Sequence, residues 1–208
     1  RDTDRSRGLG DVYKRQIDED FMDFPIGEFP YDKNHSAMGE YHFIHYPGFY
    51  GRWYDPVCNY RYNGQGASWC IMEYNGRHYM EQMRLHNTEP HRTFPTLETG
   101  DRFWRDYDIE AGLRMFNTKW GSAGIGFCAQ NSLNLLACIF EDKKLKLVYR
   151  HKEDVEEIKS VDFDYNCDDT YNIKVSVKGS HVICSVDGST YIDCLLYTSP
   201  SPRDRSVS

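Results

Sequence analysis

No run of about 18 apolar residues occurs anywhere in this 208-residue sequence, which excludes a helical membrane span. Positive charge is in deficit, with 25 Lys+Arg against 32 Asp+Glu and a net charge of −7. A surface of that sign repels the phosphates that a nucleic-acid binder must neutralise. The start shows no basic residues leading into an apolar run, so no secretory leader is expected. None of the 7 cysteines forms a C-x-x-C, so zinc-site spacing is missing, and the 8 histidines show no i, i+4 pair on a helix. Gly64-Gln65-Gly66 and Gly124-Ile125-Gly126 lack the third glycine and the βαβ setting of a nucleotide fingerprint. No segment keeps a helical apolar period for three turns. What is present is an aromatic content of 15% with 16 tyrosines, a composition suited to pleated sheet and to stacking on sugar rings.

The two ends share a coding relationship. One coding of Cys194-Leu195-Leu196-Tyr197-Thr198-Ser199, read on the opposite strand with a one-base shift, translates as Asp11-Val12-Tyr13-Lys14-Arg15-Gln16. Ser6–Gly10 and Pro200–Asp204 are related in the same way. The shared segment resembles a transposase-type sequencing adapter, so residues 1–16 and 194–208 are expected to be non-native and to stand outside the fold. The evolved part is then 17–193, a single domain and a fragment whose neighbouring domains are not in view.

Period two dominates that interior. Tyr171, Ile173, Val175 and Val177 share one face while Asn172, Lys174 and Ser176 share the other, the pattern of a half-buried strand. Lys178-Gly179-Ser180 turns the chain into His181–Val186, a hairpin. Tyr107–Met115 alternates in the same way. In His78–Leu85, Tyr79, Met83 and Leu85 form the more apolar face, which Glu81 shares. Gly124–Gln130, Leu133–Phe140 and Leu145–His151 read as a meander with turns near Asn131-Ser132 and Asp142-Lys143. Glu40–Tyr46 and Ser68–Glu73 are further strands, and Val155–Ile158 is either a short strand or a helical turn. About ten short strands in one domain point to a sandwich or jelly roll. Two connections are long, 47–67 with six aromatic residues and 86–102, and loops of that length often carry function. The aromatics of the first either plug one end of the sandwich or meet a ligand.

Trp104-Arg105-Asp106-Tyr107-Asp108-Ile109-Glu110, then Ala123-Gly124-Ile125-Gly126-Phe127, a meander, Tyr171–Val177 and Val186-Asp187-Gly188 follow one another in an order that resembles the concanavalin A-like jelly roll. The resemblance is to its laminin-G-like and 3-keto-disaccharide hydrolase types, and it spans residues 68–193. Residues 17–67 fit a family-like opening strand. The resemblance implies an all-β, two-sheet antiparallel jelly-roll sandwich of a bacterial glycan-processing protein, with a saccharide as its ligand. The adapter-like residues begin where such domains add a closing strand, so the sandwich is expected to lack its last strand.

The expected site follows from sugar chemistry. Aromatic rings cover the apolar face of a pyranose, while amide and guanidinium donors read hydroxyls or a uronate carboxylate. Trp53, Tyr54, Arg84, Gln130, Asn134 and Arg150 are the expected ligand residues, and Arg114 and Gln82 stand on similar polar strand faces. Cleavage needs two carboxylates flanking the bond, for which Glu81 and Asp108 are the candidates. Asp162, Asp164, Asp168 and Asp169 form an acidic cluster that is either a calcium site or a solvated turn; no other cofactor is implied. Cys128, Cys138 and Cys184 sit inside strands as small buried apolar groups, which favours a reducing, cytoplasmic setting. Three functions remain open: a binding module of a larger enzyme, a stand-alone 3-keto-type glycoside-cleaving enzyme using Glu81 or Asp108 as acid/base, and a structural sandwich that packs on a neighbouring domain.

Overall fold

The computed structural model describes residues 17–29, 53, 69–83, 96–100, 104–116, 121–131, 133–152 and 154–196. Among these residues every regular element is a strand. In chain order they are β1 (Gly27–Phe29), β2 (Trp69–Tyr74), β3 (Arg77–Gln82), β4 (Tyr107–Arg114), β5 (Ala123–Asn131), β6 (Asn134–Glu141), β7 (Lys144–His151), β8 (Asp154–Asp162), β9 (Thr170–Lys178), β10 (His181–Val186) and β11 (Ser189–Leu195). The undecided segment Val155–Ile158 lies inside β8, while the strand expected at 40–46 lies outside the described residues.

Two antiparallel four-stranded sheets, ordered β11-β10-β9-β4 and β5-β6-β7-β8, pack as a sandwich, the architecture expected of a jelly roll. The alternation read in the sequence supplies the shared core. Ile173, Val175, Val177, Val182, Cys184, Val186 and Ile192 face inward from one sheet, and Ile125, Phe127, Leu136, Cys138, Phe140, Leu145 and Leu147 from the other. Phe140 anchors an aromatic group, with ring centroids 5.2 Å from Phe163, 5.2 Å from Tyr165 and 5.4 Å from Tyr171. Tight turns set the registers. Asp142 and Lys143 both take positive φ (53° and 58°), the type I′ geometry whose twist matches antiparallel strands.

The second face of β6 and β7 is buried as well. Leu135, Ala137, Ile139 and Val148 form a separate apolar cluster there, and Lys146 and Arg150 on the same face are 8% and 4% exposed. Lys146 stays charged because its ammonium meets Glu141 at 2.9 Å, Asp142 at 3.0 Å and Glu157 at 3.7 Å. Burial alone would lower its pKa, but the bonds to Glu141 and Asp142 outweigh it and hold the group above the usual lysine range.

A third sheet, β1-β2-β3, buries Phe29 and Ile71 at 1% exposure each, with Met80 paired opposite Ile71. His78 and Met80 share the side of Phe29 and Ile71, while Glu81 lies on the other side with Tyr79, and all four β3 side chains are half-buried.

Past Asp187-Gly188 the chain enters β11, which pairs along β10 and carries the ladder through Cys194 and Leu195. A strand thus stands where the sequence led us to expect the sheet to stop, and it runs past the expected boundary at Asp193. The reason is alternation: Ile192 is fully buried, and Cys194 and Leu196 pack on the same core. Residues 1–16 lie outside the described residues.

Candidate functional site

The antiparallel register brings Gln130, Asn134 and Arg150 to one end of the sheet β5-β6-β7-β8, since Asn131 pairs with Asn134 and Leu135 with Arg150. Two of them, Asn134 and Arg150, bond within the chain. Asn131 Oδ1 accepts the Asn134 side-chain amide at 2.9 Å and the Leu133 N–H at 2.9 Å, which fastens the β5–β6 turn. Arg150 Nε donates to the Lys152 carbonyl at 3.1 Å. Arg150 was expected on a solvent-facing strand side; because β7 is buried on both faces, it is a buried fastener, and Gln130 alone of the three is exposed.

Trp53 stands elsewhere. Its ring packs on Phe21 at 5.5 Å and its indole N–H donates to Glu19 Oε2 at 3.1 Å, so it belongs to an aromatic group with Phe21, Phe24 and Phe29. Tyr54 and Arg84 lie outside the described residues.

The two candidate catalytic acids are held apart in role. Asp108 projects from the exposed face of β4, accepts a hydrogen bond from Ser176, and meets Lys174 at 3.3 Å. The Ser176 bond, followed by Lys174, holds its carboxyl below the usual aspartate range, the opposite of what a general acid requires. Glu81 is paired with Cys70 across β2–β3 and is not among the groups acting on Asp108.

Three acidic residues of the 162–169 cluster meet separate partners. Asp164 pairs with Lys143 at 2.9 Å, Asp168 with Arg114 at 2.7 Å, and Asp169 accepts from Asn166 at 3.3 Å. Among the described residues no group of three or more His, Cys, Asp or Glu side chains is arranged to hold a metal ion.

One surface constellation does gather side chains suited to a ligand, of which the sequence reading named Arg114, Asp168 and Tyr79 separately and never together. Arg114 ends β4, and its Nη2 donates to Asp168 Oδ1 at 2.7 Å. The guanidinium carbon lies 5.3 Å from the centroid of the Phe116 ring. Met115 between them is buried at 6%, and its carbonyl accepts the Asp168 N–H at 3.3 Å, so the β8–β9 connection is tied to the end of β4. Asp168 holds a left-handed φ of 72°, which aspartate tolerates better than most residues. The β2–β3 hairpin carries Tyr74 and Tyr79 with ring centroids 6.5 Å apart, and both phenols add to the raised Arg114 pKa after its bond to Asp168. Burial first, then Tyr74, pushes the Tyr79 phenol up, so both hydroxyl and ring stay neutral. Tyr74 and Phe116 are 60% and 61% exposed, unusual for rings held this closely to structured backbone.

The signal for the hairpin was present. Asn75-Gly76, with φ of 52° and 73°, is the dipeptide that type I′ turns prefer, and it places Tyr74 directly opposite Arg77. The Arg114–Asp168 pair spans 54 residues and leaves no local pattern to read.

No family model and no curated protein matches this chain. Among solved structures, the carbohydrate binding module CBM66 from Bacillus subtilis is similar at 14% sequence identity and a TM-score of 0.42, over 47% of this chain. The chain spans 63% of that structure's length.

Proposed function

We propose that this sandwich binds a saccharide at the surface formed by Tyr74, Tyr79, Arg114, Phe116 and Asp168. The observation that carries the reading is the Arg114–Asp168 pair at 2.7 Å set beside two rings that are each about three-fifths exposed. Exposed rings offer a flat apolar surface to the C–H face of a sugar. The adjacent guanidinium and carboxylate offer charge-assisted hydrogen bonds to its hydroxyls. Binding rather than cleavage is the role supported, because Asp108 is held ionised on an exposed strand face by Ser176 and Lys174.

A glycan array probed with the 208-residue chain tests this, alongside Tyr74→Ala and Arg114→Ala. The chain should retain a subset of glycans and each variant should lose at least about tenfold in affinity, the usual scale for removing one charged hydrogen bond or one stacked ring. A parent that retains no glycan, or variants that bind like the parent, would overturn the assignment.

A further inference from the structure

The polar atoms left over by the Arg114–Asp168 pair say which kind of sugar suits the site, an inference that rests on the saccharide reading above. Arg114 commits Nη2 to Asp168 Oδ1 at 2.7 Å. Among the described residues its Nε and Nη1 donors and the Asp168 Oδ2 acceptor make no other hydrogen bond. Asp168 is 75% and Arg114 36% exposed by side chain, so these groups face solvent. A donor edge and an acceptor oxygen thus stand side by side, held together by one ion pair.

We infer that the ligand is an uncharged sugar gripped through two neighbouring ring hydroxyls, one donating to Asp168 Oδ2 and the next accepting from the Arg114 guanidinium. Hydroxyls on adjacent ring carbons are spaced for such a donor–acceptor edge, and each can act as donor or acceptor. An acidic sugar fits poorly. Its carboxylate would compete with Asp168 for Arg114 or lie against the Asp168 oxygen, and like charges at contact are unfavourable. Phe116 lies against the guanidinium, and the exposed Tyr74 ring remains for the sugar's apolar face.

The test is a titration of the 208-residue chain, followed by tyrosine-ring NMR signals. The probes are the methyl glycosides of glucose, galactose and mannose, their deoxy analogues lacking one hydroxyl of a vicinal pair, and methyl glucuronide. At least one neutral glycoside should bind, the matching deoxy analogue should lose about tenfold, and the glucuronide should bind more weakly than glucose. Asp168→Asn should weaken the neutral sugar and strengthen the glucuronide. Arg114→Lys, a surface change that keeps the charge and loses the fork, should weaken the neutral sugar as well. If the glucuronide binds more tightly than every neutral glycoside, or deoxy analogues bind unchanged, the neutral-diol inference falls while saccharide binding stands. If no probe moves the tyrosine signals but a glycan array shows binding lost in Tyr74→Ala, the inference again falls alone. If neither experiment detects sugar, both readings fall.

Discussion

The Tyr107 hydroxyl accepts the Cys128 N–H at 2.9 Å and lies 3.5 Å from its sulfur. Cys128 holds a φ of 50° inside the irregular stretch of β5 between Phe127 and Asn131. A single phenol from the facing sheet therefore satisfies the backbone donor that the bulge removes from the ladder. Burial, and then the neighbouring Cys128 thiol, raise the Tyr107 pKa, so the group stays protonated over the working pH range.

Tyr107→Phe removes that acceptor and strands a partly buried N–H. The expected cost is about 1–2 kcal/mol, read as a lowered urea midpoint at unchanged slope. Tyr171→Phe is the control, since its hydroxyl accepts the exposed Asn166 N–H at 2.9 Å and water can replace it. Equal losses in the two variants would refute the bulge-capping role.

The two glycines of β5 are expected to differ sharply. A Cβ on Gly124 would overlap the Cys138 carbonyl oxygen and sit 2.7 Å from Ile139 Cα, so the backbones of β5 and β6 must separate. On Gly126 the nearest atom is Leu135 Cδ1 at 3.3 Å, a side-chain end that can turn aside. Gly124→Ala should cost at least about 1–3 kcal/mol and Gly126→Ala well under that. Thermal or urea unfolding of the pair decides it, and similar midpoints would contradict the close approach of the two strands.

Lys146 stands over three carboxylates, and Lys146→Met would leave them facing one another. Removing one member of a fully buried ion pair costs about 3–5 kcal/mol, but here Glu141, Asp142 and Glu157 are 37%, 75% and 48% exposed. Water screens what remains, and a loss of about 1–2 kcal/mol is expected. The loss should shrink as salt is added, because the residual repulsion among the acids is screened; a salt-independent loss would point to packing instead.

Asp108 sets a pH dependence with a definite sign. Its carboxyl is held below the unfolded aspartate value by Ser176 first and Lys174 next. Its contribution is therefore present above the unfolded value near pH ~3.9 and disappears as the pH drops through the lower folded one. Asp108→Asn should flatten the acid side of the stability curve below about pH 4 and leave its neutral slope unchanged. Identical acid limbs in parent and variant would show that Asp108 is not coupled to folding.

The sandwich was legible in the sequence wherever one strand face meets water. In β4 and β9 the alternation of Tyr107, Ile109, Leu113 and of Ile173, Val175, Val177 marks the core side directly. In β7 the same reasoning misplaced Arg150, because Lys146, Val148 and Arg150 alternate with Leu147 and Tyr149 exactly as a wet face would, yet that face is covered. Alternation reports polarity, and a buried lysine or arginine with partners is polar without being exposed. Trp53 was legible as an aromatic residue in a long loop, and its two possible roles differ only in what Phe21 and Glu19 do, which spacing does not encode. The ligand surface escaped notice because it joins a hairpin tip, a strand end and a connection that are far apart along the chain.

The strands β6 and β7, joined by the two-residue Asp142-Lys143 turn and covered on both sides, close their contacts over a loop of only two residues. Such a hairpin costs little loop-closure entropy and can form before its neighbours dock. The amide hydrogens of Leu136 to Phe140 and Leu145 to Val148 should then be the last to exchange into deuterated solvent, opening only when the whole molecule does.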